Sequence, residues 1–179
     1  MENKNILVGV TGGVAAYKTC ELVRLLVKQN YSVKVIMTEN AIKFIAPLAF
    51  ETLSKSPVYI GPFAQNSDLN HIGLAKWAHA LVIAPATANT IAKIANGIAD
   101  NLLTTVAIAL PKITPLFLAP AMNVEMWNNV FNQRNVKNLG LRQNTYLIGP
   151  ESGPLADGTV ATGRMSEPLT ILAAMEKVF

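Results

Sequence analysis

The sequence predicts an α/β fold of three layers, a parallel sheet with helices on both faces. Three observations predict it. Short apolar, β-branched runs alternate with helix-spaced segments along the chain. Those runs lack polar alternation, as strands buried on both faces require. Segments rich in glycine, hydroxyl and amide groups fall just past strands, where folds of this class bind ligands.

The elements follow in order. Ile6–Val10 is a buried strand ending in Thr11-Gly12-Gly13. Val14 to Gln29 has helical spacing, with Val14, Leu22, Leu25 and Leu26 on one face. Ser32–Met37 is the second strand, and Thr38-Glu39-Asn40-Ala41 opens a second helix. Ala80–Ala84 is the third strand, stopped by Pro85. Thr87 to Thr90 has the hydroxyl and amide chemistry of a helix start. That helix runs through Ala95 and ends or bends at Gly97. Leu102–Leu110 follows the plausible cap Asp100-Asn101 and reads as helix. Pro115–Ala119 is the fourth strand, Asn129–Leu139 a helix and Tyr146–Ile148 a short fifth strand. Residues 149–165 are crowded with Gly and Pro and show no period, which reads as a long irregular loop. Glu167–Phe179 is the closing helix, with Pro168 where a helix start allows it.

At 179 residues and 51% hydrophobic, the chain suits one domain spanning 1–179 with a substantial core. Only 15% of residues are charged. That fits either subunit interfaces or a well-buried parallel sheet. The net charge of +4 comes from scattered residues, which gives nucleic-acid binding no support. The one cysteine, Cys20, allows no intrachain disulfide and reads as a small buried thiol. The polar start leads straight into a strand without a leader, and no apolar run reaches membrane-span length. No membrane contact and a cytoplasmic location are therefore expected.

Five segments are candidates for chemistry. In Thr11-Gly12-Gly13-Val14-Ala15-Ala16-Tyr17-Lys18, paired glycines let the backbone approach a ligand and a helix start offers N–H groups to an anion. A tight strand-to-helix turn explains the same residues equally well. Thr38 with Phe44 could reach the same anion, although Thr38 also suits a helix cap. Thr87, Ala88, Asn89 and Thr90 could bond a polar heterocycle or simply cap a helix. His71, in Asn70-His71-Ile72-Gly73-Leu74-Ala75-Lys76-Trp77-Ala78, could exchange protons near neutral pH. A lone histidine there is more often structural, as His79 is taken to be. In Pro120-Ala121-Met122-Asn123-Val124-Glu125-Met126-Trp127, two methionines and a tryptophan stand beside an asparagine. The same set would serve as an apolar plug or an oligomer contact.

Together these segments resemble the homo-oligomeric flavin-containing cysteine decarboxylases, over nearly the whole chain. That family includes the phosphopantothenoylcysteine decarboxylases and the lantibiotic peptidyl-cysteine decarboxylases. Its histidine motif is matched by His71–Trp77. Its Pro-Ala-Ser-Ala-Asn-Thr motif is matched by Pro85–Thr90, with Thr87 in the serine place. Its Pro-X-Met-Asn-X-X-Met-Trp motif is matched fully by Pro120–Trp127. The Gly-Gly-Val-Ala-Ala-Tyr-Lys opening and the Gly163-Arg164-Met165-Ser166-Glu167-Pro168 ending resemble the coenzyme A branch.

The resemblance implies a flavodoxin-like or Rossmann-like sheet, trimers that gather into dodecamers, and flavin at subunit interfaces. It implies flavin mononucleotide (FMN), since no adenosine-binding fingerprint is present. FMN contacts would come from Gly12, Gly13, Val14 and Thr38 at the phosphate, with Phe44, Thr87, Ala88, Asn89, Thr90, Ala121 and Met122 around the rest. Substrate contacts would come from Asn123, Ala156, Asp157, Arg164 and Met165, and no metal is called for. The substrate implied is 4′-phosphopantothenoylcysteine, supplied by a synthetase on a separate chain or on a domain outside this sequence. The chemistry implied is oxidation of the cysteine moiety at Cβ–S to a thioaldehyde, loss of carbon dioxide to an enethiolate, then return of a hydride with a proton. His71 matches the family's base, and Asn123 the residue that holds the substrate near its carboxylate. Three other classes are weighed: a peptidyl-cysteine decarboxylase, a prenyl-transferring relative and a non-catalytic regulatory relative. The complete Pro120–Trp127 motif argues against the second, and retention of His71 and Asn123 against the third.

One departure falls on a catalytic position. In the coenzyme A branch the loop before Gly-Arg-Met clamps the substrate and carries a cysteine, and Asp157 stands in its place. Two readings stand even. Desolvation in a closed clamp could raise the carboxyl pKa and make Asp157 the proton donor. Alternatively Asp157 only caps the turn before Gly158.

Overall fold

A computed structural model describes residues 4–61 and 71–178. Six strands form one parallel sheet in the order β3-β2-β1-β4-β5-β6: β1 Asn5–Val10, β2 Ser32–Met37, β3 Val58–Tyr59, β4 Ala80–Ala86, β5 Leu116–Pro120 and β6 Thr145–Leu147. Val8 of β1 lies between Val35 of β2 and Val82 of β4, which sets the central register.

The two-residue period of a strand divides its side chains between the faces. Ile6, Val8 and Val10 join a core with Leu22, Val23 and Leu26 of α1 (Ala16–Lys28), Phe50 of α2 (Pro47–Ser54) and Ile171 and Met175 of α8 (Pro168–Glu176). Leu7 enters a second core on the other face. That core holds Leu74 of α3 (His71–Trp77), Ile91 of α4 (Ala88–Ala95), Leu103 of α5 (Leu102–Ala109) and Leu139 of α7 (Val130–Leu139). Each fully buried large side chain of this kind contributes about 1.5–3 kcal/mol.

Several local signals act where the sequence places them. Thr87 caps α4 by accepting from Thr90 N–H. Asn101 caps α5 in a reciprocal pair with Thr104. Gly97, at φ +71°, follows the last residues of α4.

Three expectations are corrected. The second helix does not run on from Thr38: a single 3₁₀ turn, Ala41–Lys43, stops short, and α2 starts at Pro47. Pro47 lacks an N–H and suits the first helical turn but not an interior. The sheet has six strands, because two-residue β3 is too short to leave a pattern. Residues 149–165 are not irregular: Glu151–Pro154 (β7) and Val160–Arg164 (β8) pair as an antiparallel hairpin. A two-stranded ribbon has only edge strands, so Pro154 and the glycines are tolerated there.

Candidate functional site

The cavity lies at the carboxyl ends of the strands. The ends of β1, β4 and β5, the first turn of α1 and the hairpin enclose about 950 Å³, inside the roughly 300–1,000 Å³ range of small-molecule pockets.

Its floor is made of backbone held by short polar links. Thr11 Oγ1 donates to the Pro85 carbonyl at 2.7 Å and accepts from Thr87 N–H at 3.2 Å, so the β1 and β4 ends are tied together. Ala121 N–H donates to the Ala86 carbonyl at 3.2 Å, adding the β5 end. Gly12 is packed against the turn after β2. A Cβ there would overlap the Asn40 side chain and lie 2.9 Å from the Asn40 carbonyl carbon. The first residues of α1 have no side-chain cap, since Ala15 stands at the cap position. Gly13, Ala16 and Lys18 N–H are taken by the Thr11, Gly13 and Ala15 carbonyls, so the helix start beside Gly12–Val14 offers the cavity its favourable dipole and the other N–H groups of the turn.

The lid is the hairpin. Its inner end joins the floor through Met122 N–H, which donates to the Gly163 carbonyl at 2.9 Å. A Cβ on Gly163 would overlap the Met122 carbonyl oxygen, so the close approach needs glycine. At its tip, Asn123 Nδ2 donates to Asp157 Oδ2 at 2.6 Å. Asn123 Oδ1 is taken by Glu125 N–H at 2.8 Å, capping α6 (Val124–Asn128), which fixes the amide's orientation. Thr159 gives Asp157 Oδ1 two more bonds, from its N–H at 3.0 Å and its hydroxyl at 2.6 Å.

Asp157 is exposed, and the Thr159 donors, aided by Asn123, hold its carboxyl below the usual aspartate range. Three donors favour the anion, and burial is too slight to oppose them. The turn-capping alternative is the geometry found.

At the cavity's other end two cations share one carboxylate. Lys18 Nζ donates to Glu167 Oε1 at 2.8 Å and to the Met165 carbonyl at 3.4 Å. Arg164 donates to the same Glu167 oxygen. Lys18 first, then Arg164, holds the Glu167 carboxyl below its usual range.

Gly12, Gly13, Val14, Thr87, Ala88, Ala121, Met122, Asn123, Ala156, Asp157, Arg164 and Met165 all line the cavity. Thr38, Phe44, Asn89 and Thr90 do not. Thr38 Oγ1 accepts from Ala41 N–H, and Thr90 is buried and bonded to Thr87 Oγ1. Both serve the wall from behind. Phe44 is half exposed to solvent. His71 is also outside the wall. It opens α3 on the second face, and a helix leading back into a parallel strand runs against it. His71 therefore sits at the carboxyl end of the sheet, level with the cavity. Asn70 lies outside the described residues. Sequence reasoning left Tyr17, Lys18, Met126 and Glu167 off the wall. All four were inside motifs already singled out, so proximity to them was the available signal.

The Flavoprotein family profile matches residues 1–179. A coenzyme A biosynthesis bifunctional protein of Bacillus subtilis is 45% identical over the whole chain, which spans 44% of that relative's length. A probable phosphopantothenoylcysteine decarboxylase of Streptococcus mutans is 43% identical over 97% of this chain and 98% of its own. Among solved structures, a PPC decarboxylase variant complexed with pantothenoylaminoethenethiol superposes with a TM-score of 0.87 and 34% identity, covering 98% of each chain. The FMN-binding protein AtHal3 superposes with a TM-score of 0.85 at 34% identity, covering 99% of this chain and 97% of that one.

Proposed function

The chain belongs to the flavoprotein family, and on that premise we propose that it is an FMN-dependent decarboxylase converting 4′-phosphopantothenoylcysteine to 4′-phosphopantetheine. The observation that carries the reading is the convergence of the Gly12–Val14 turn, the Thr87–Ala88 turn and the Ala121–Asn123 segment on one lidded cavity. The full-length likeness to the Streptococcus mutans protein and the PPC decarboxylase structure supports it.

The residues fit FMN. The glycine turn at an uncapped helix start suits a phosphate, and the Gly12–Asn40 approach shows that this turn is shaped by its neighbours. Gly12, Gly13 and Val14 would hold the phosphate, with Thr87, Ala88, Ala121 and Met122 along the rest. Thr38 and Thr90 would brace these contacts. FMN supplies the two-electron chemistry. Asn123, its amide oriented by Glu125, would hold the substrate carboxylate. Ala156, Arg164 and Met165 would enclose the substrate's remainder.

His71 would be the base, delivered into the cavity of a neighbouring copy. Its place at the carboxyl end of the sheet, together with exposed Val14, Tyr17 and Met126 at the cavity, favours a homo-oligomer built on this face, a trimer in the first instance. Residues 1–179 would act as one domain with the hairpin as its lid, fed by a phosphopantothenoylcysteine synthetase and working in the cytoplasm. No helix among the described residues is long and apolar enough to cross a membrane.

The test is direct. Purified protein should carry a flavin spectrum and release carbon dioxide from 4′-phosphopantothenoylcysteine, with 4′-phosphopantetheine found by mass spectrometry. Turnover of a cysteine-terminated peptide in its place would overturn the substrate assignment. Protein that stays colourless after incubation with FMN would overturn the cofactor.

A further inference from the structure

Asn132 stands on α7, behind the cavity wall, and is only 6% exposed. Its Nδ2 donates to the Met122 sulfur at 3.4 Å and to the Trp127 carbonyl at 3.3 Å. Its Oδ1 is buried and has no hydrogen-bond partner among the described residues. Turning the amide over would set that oxygen against the Trp127 carbonyl, so the orientation is fixed. A buried acceptor left unpaired costs stability, and an apolar side chain of similar size would avoid that cost. The Trp127 carbonyl does not depend on Asn132 either, because Gln133 Nε2 also donates to it at 2.5 Å. What remains for Asn132 to supply is the bond to Met122.

Met122 lines the cavity. Its backbone is already fixed, since its N–H donates to the Gly163 carbonyl and the N–H of Ala121 to the Ala86 carbonyl. Its side chain is unbranched, with several rotatable bonds and a weak acceptor at sulfur. An N–H aimed at that sulfur selects among the rotamers before any ligand arrives. We propose that Asn132 is a positioning residue for flavin binding, fixing the Met122 thioether in the cavity wall so that the cofactor meets a shaped surface. This rests on the reading given above, in which Met122 lies along FMN. A side chain that must be immobilised on binding subtracts its ordering cost from the affinity, and one held beforehand does not. The unpaired Oδ1 lowers the stability of the fold, and the compensating gain appears in binding.

The experiment titrates FMN back into the flavin-free full chain. Kd is measured for the natural protein, Asn132→Leu, Met122→Leu and the double variant, and the denaturant midpoint is measured for each without flavin. Asn132→Leu should weaken FMN about three- to tenfold, the worth of one immobilised side chain. Its midpoint should be no lower than that of the natural protein. Met122→Leu keeps the volume and removes the sulfur acceptor. Adding Asn132→Leu to it should change Kd by less than about twofold, because the two residues act as one unit. Independent effects that multiply in the double variant overturn the proposal, since Asn132 then does not act through Met122. A lower midpoint or loss of folding in Asn132→Leu makes the amide structural and also overturns it. An unchanged Kd in Asn132→Leu overturns it and leaves the FMN reading standing. Failure of the natural protein to bind FMN overturns that reading and this proposal with it.

Discussion

The floor and the lid of the cavity are built on opposite principles. The floor, Gly12–Val14, Thr87–Ala88 and Ala121–Met122, rests on strands whose neighbours are fully buried, such as Val10, Ala86 and Ala119. Its shape is set by sterics and short backbone links. The lid is a two-stranded ribbon, exposed at residues 156–160 and linked to its surroundings by the backbone bond at Gly163, the Asp157–Asn123 contact and the Arg164–Glu167 pair. A hairpin alone is marginally stable in water. The floor can therefore hold a cofactor in one geometry, while the lid can exchange contacts as ligands come and go.

The largest expected effect breaks the floor. Gly12→Val places a branched side chain into Asn40, and overpacking of this kind costs about 1–3 kcal/mol, more where backbone is met. Flavin absorbance of the purified protein should be lost, and the denaturant midpoint should fall. If Gly12→Val binds FMN normally, the floor is not sterically set.

Next comes a residue that belongs to neither region. His71→Asn should lower kcat by about 10²–10⁴, the usual worth of a positioned base. Flavin content and thermal midpoint should stay put. Loss of flavin along with turnover would make His71 structural. Mixing His71→Asn with Asn123→Asp protein and allowing subunits to exchange should restore part of the activity if the two residues come from different copies.

The third prediction addresses the joint. Gly163→Ala pushes a Cβ into the Met122 carbonyl. Substrate KM should rise several-fold while the FMN Kd moves little, because the lid shifts and the floor does not. Equal effects on both constants would mean that floor and lid form one rigid unit.

The smallest effect is the lid's response to pH. The Asp157 carboxyl is held below its usual value by Thr159 and Asn123, so the stabilisation it gives is present above the unfolded-state pKa of about 3.9 and is lost as pH falls through the lower folded value. Amide hydrogen exchange at residues 155–159, normalised to the intrinsic exchange rate at each pH, should be steady at pH 5 and above and should quicken only below about pH 4. Asp157→Ala should exchange quickly across that range. A rise near neutrality in the natural protein would instead point to an Asp157 with a raised pKa.

Much of the floor was legible in the sequence. The strand ends, the glycine pair and the Pro120–Trp127 segment each announced themselves within a few residues. The hairpin did not, because Gly and Pro read as loop until a partner strand is known. Nor did the wall position of Lys18, whose ion pair with Glu167 spans 149 residues.

The sequence by itself determined the buried parallel strands, the caps at Thr87 and Asn101 and the helix end at Gly97. Each depends on apolar periodicity or on hydrogen bonds between residues no more than four apart. Only the tertiary structure brings Asp157 its partners. A carboxyl's charge depends on which donors and how much solvent surround it, and here the donors come from Thr159 next door and from Asn123 across the cavity mouth. Local chemistry could offer either an acid or a cap at that position. The folded neighbourhood stabilises the anion, because three hydrogen bonds reach the charged form and water reaches it as well.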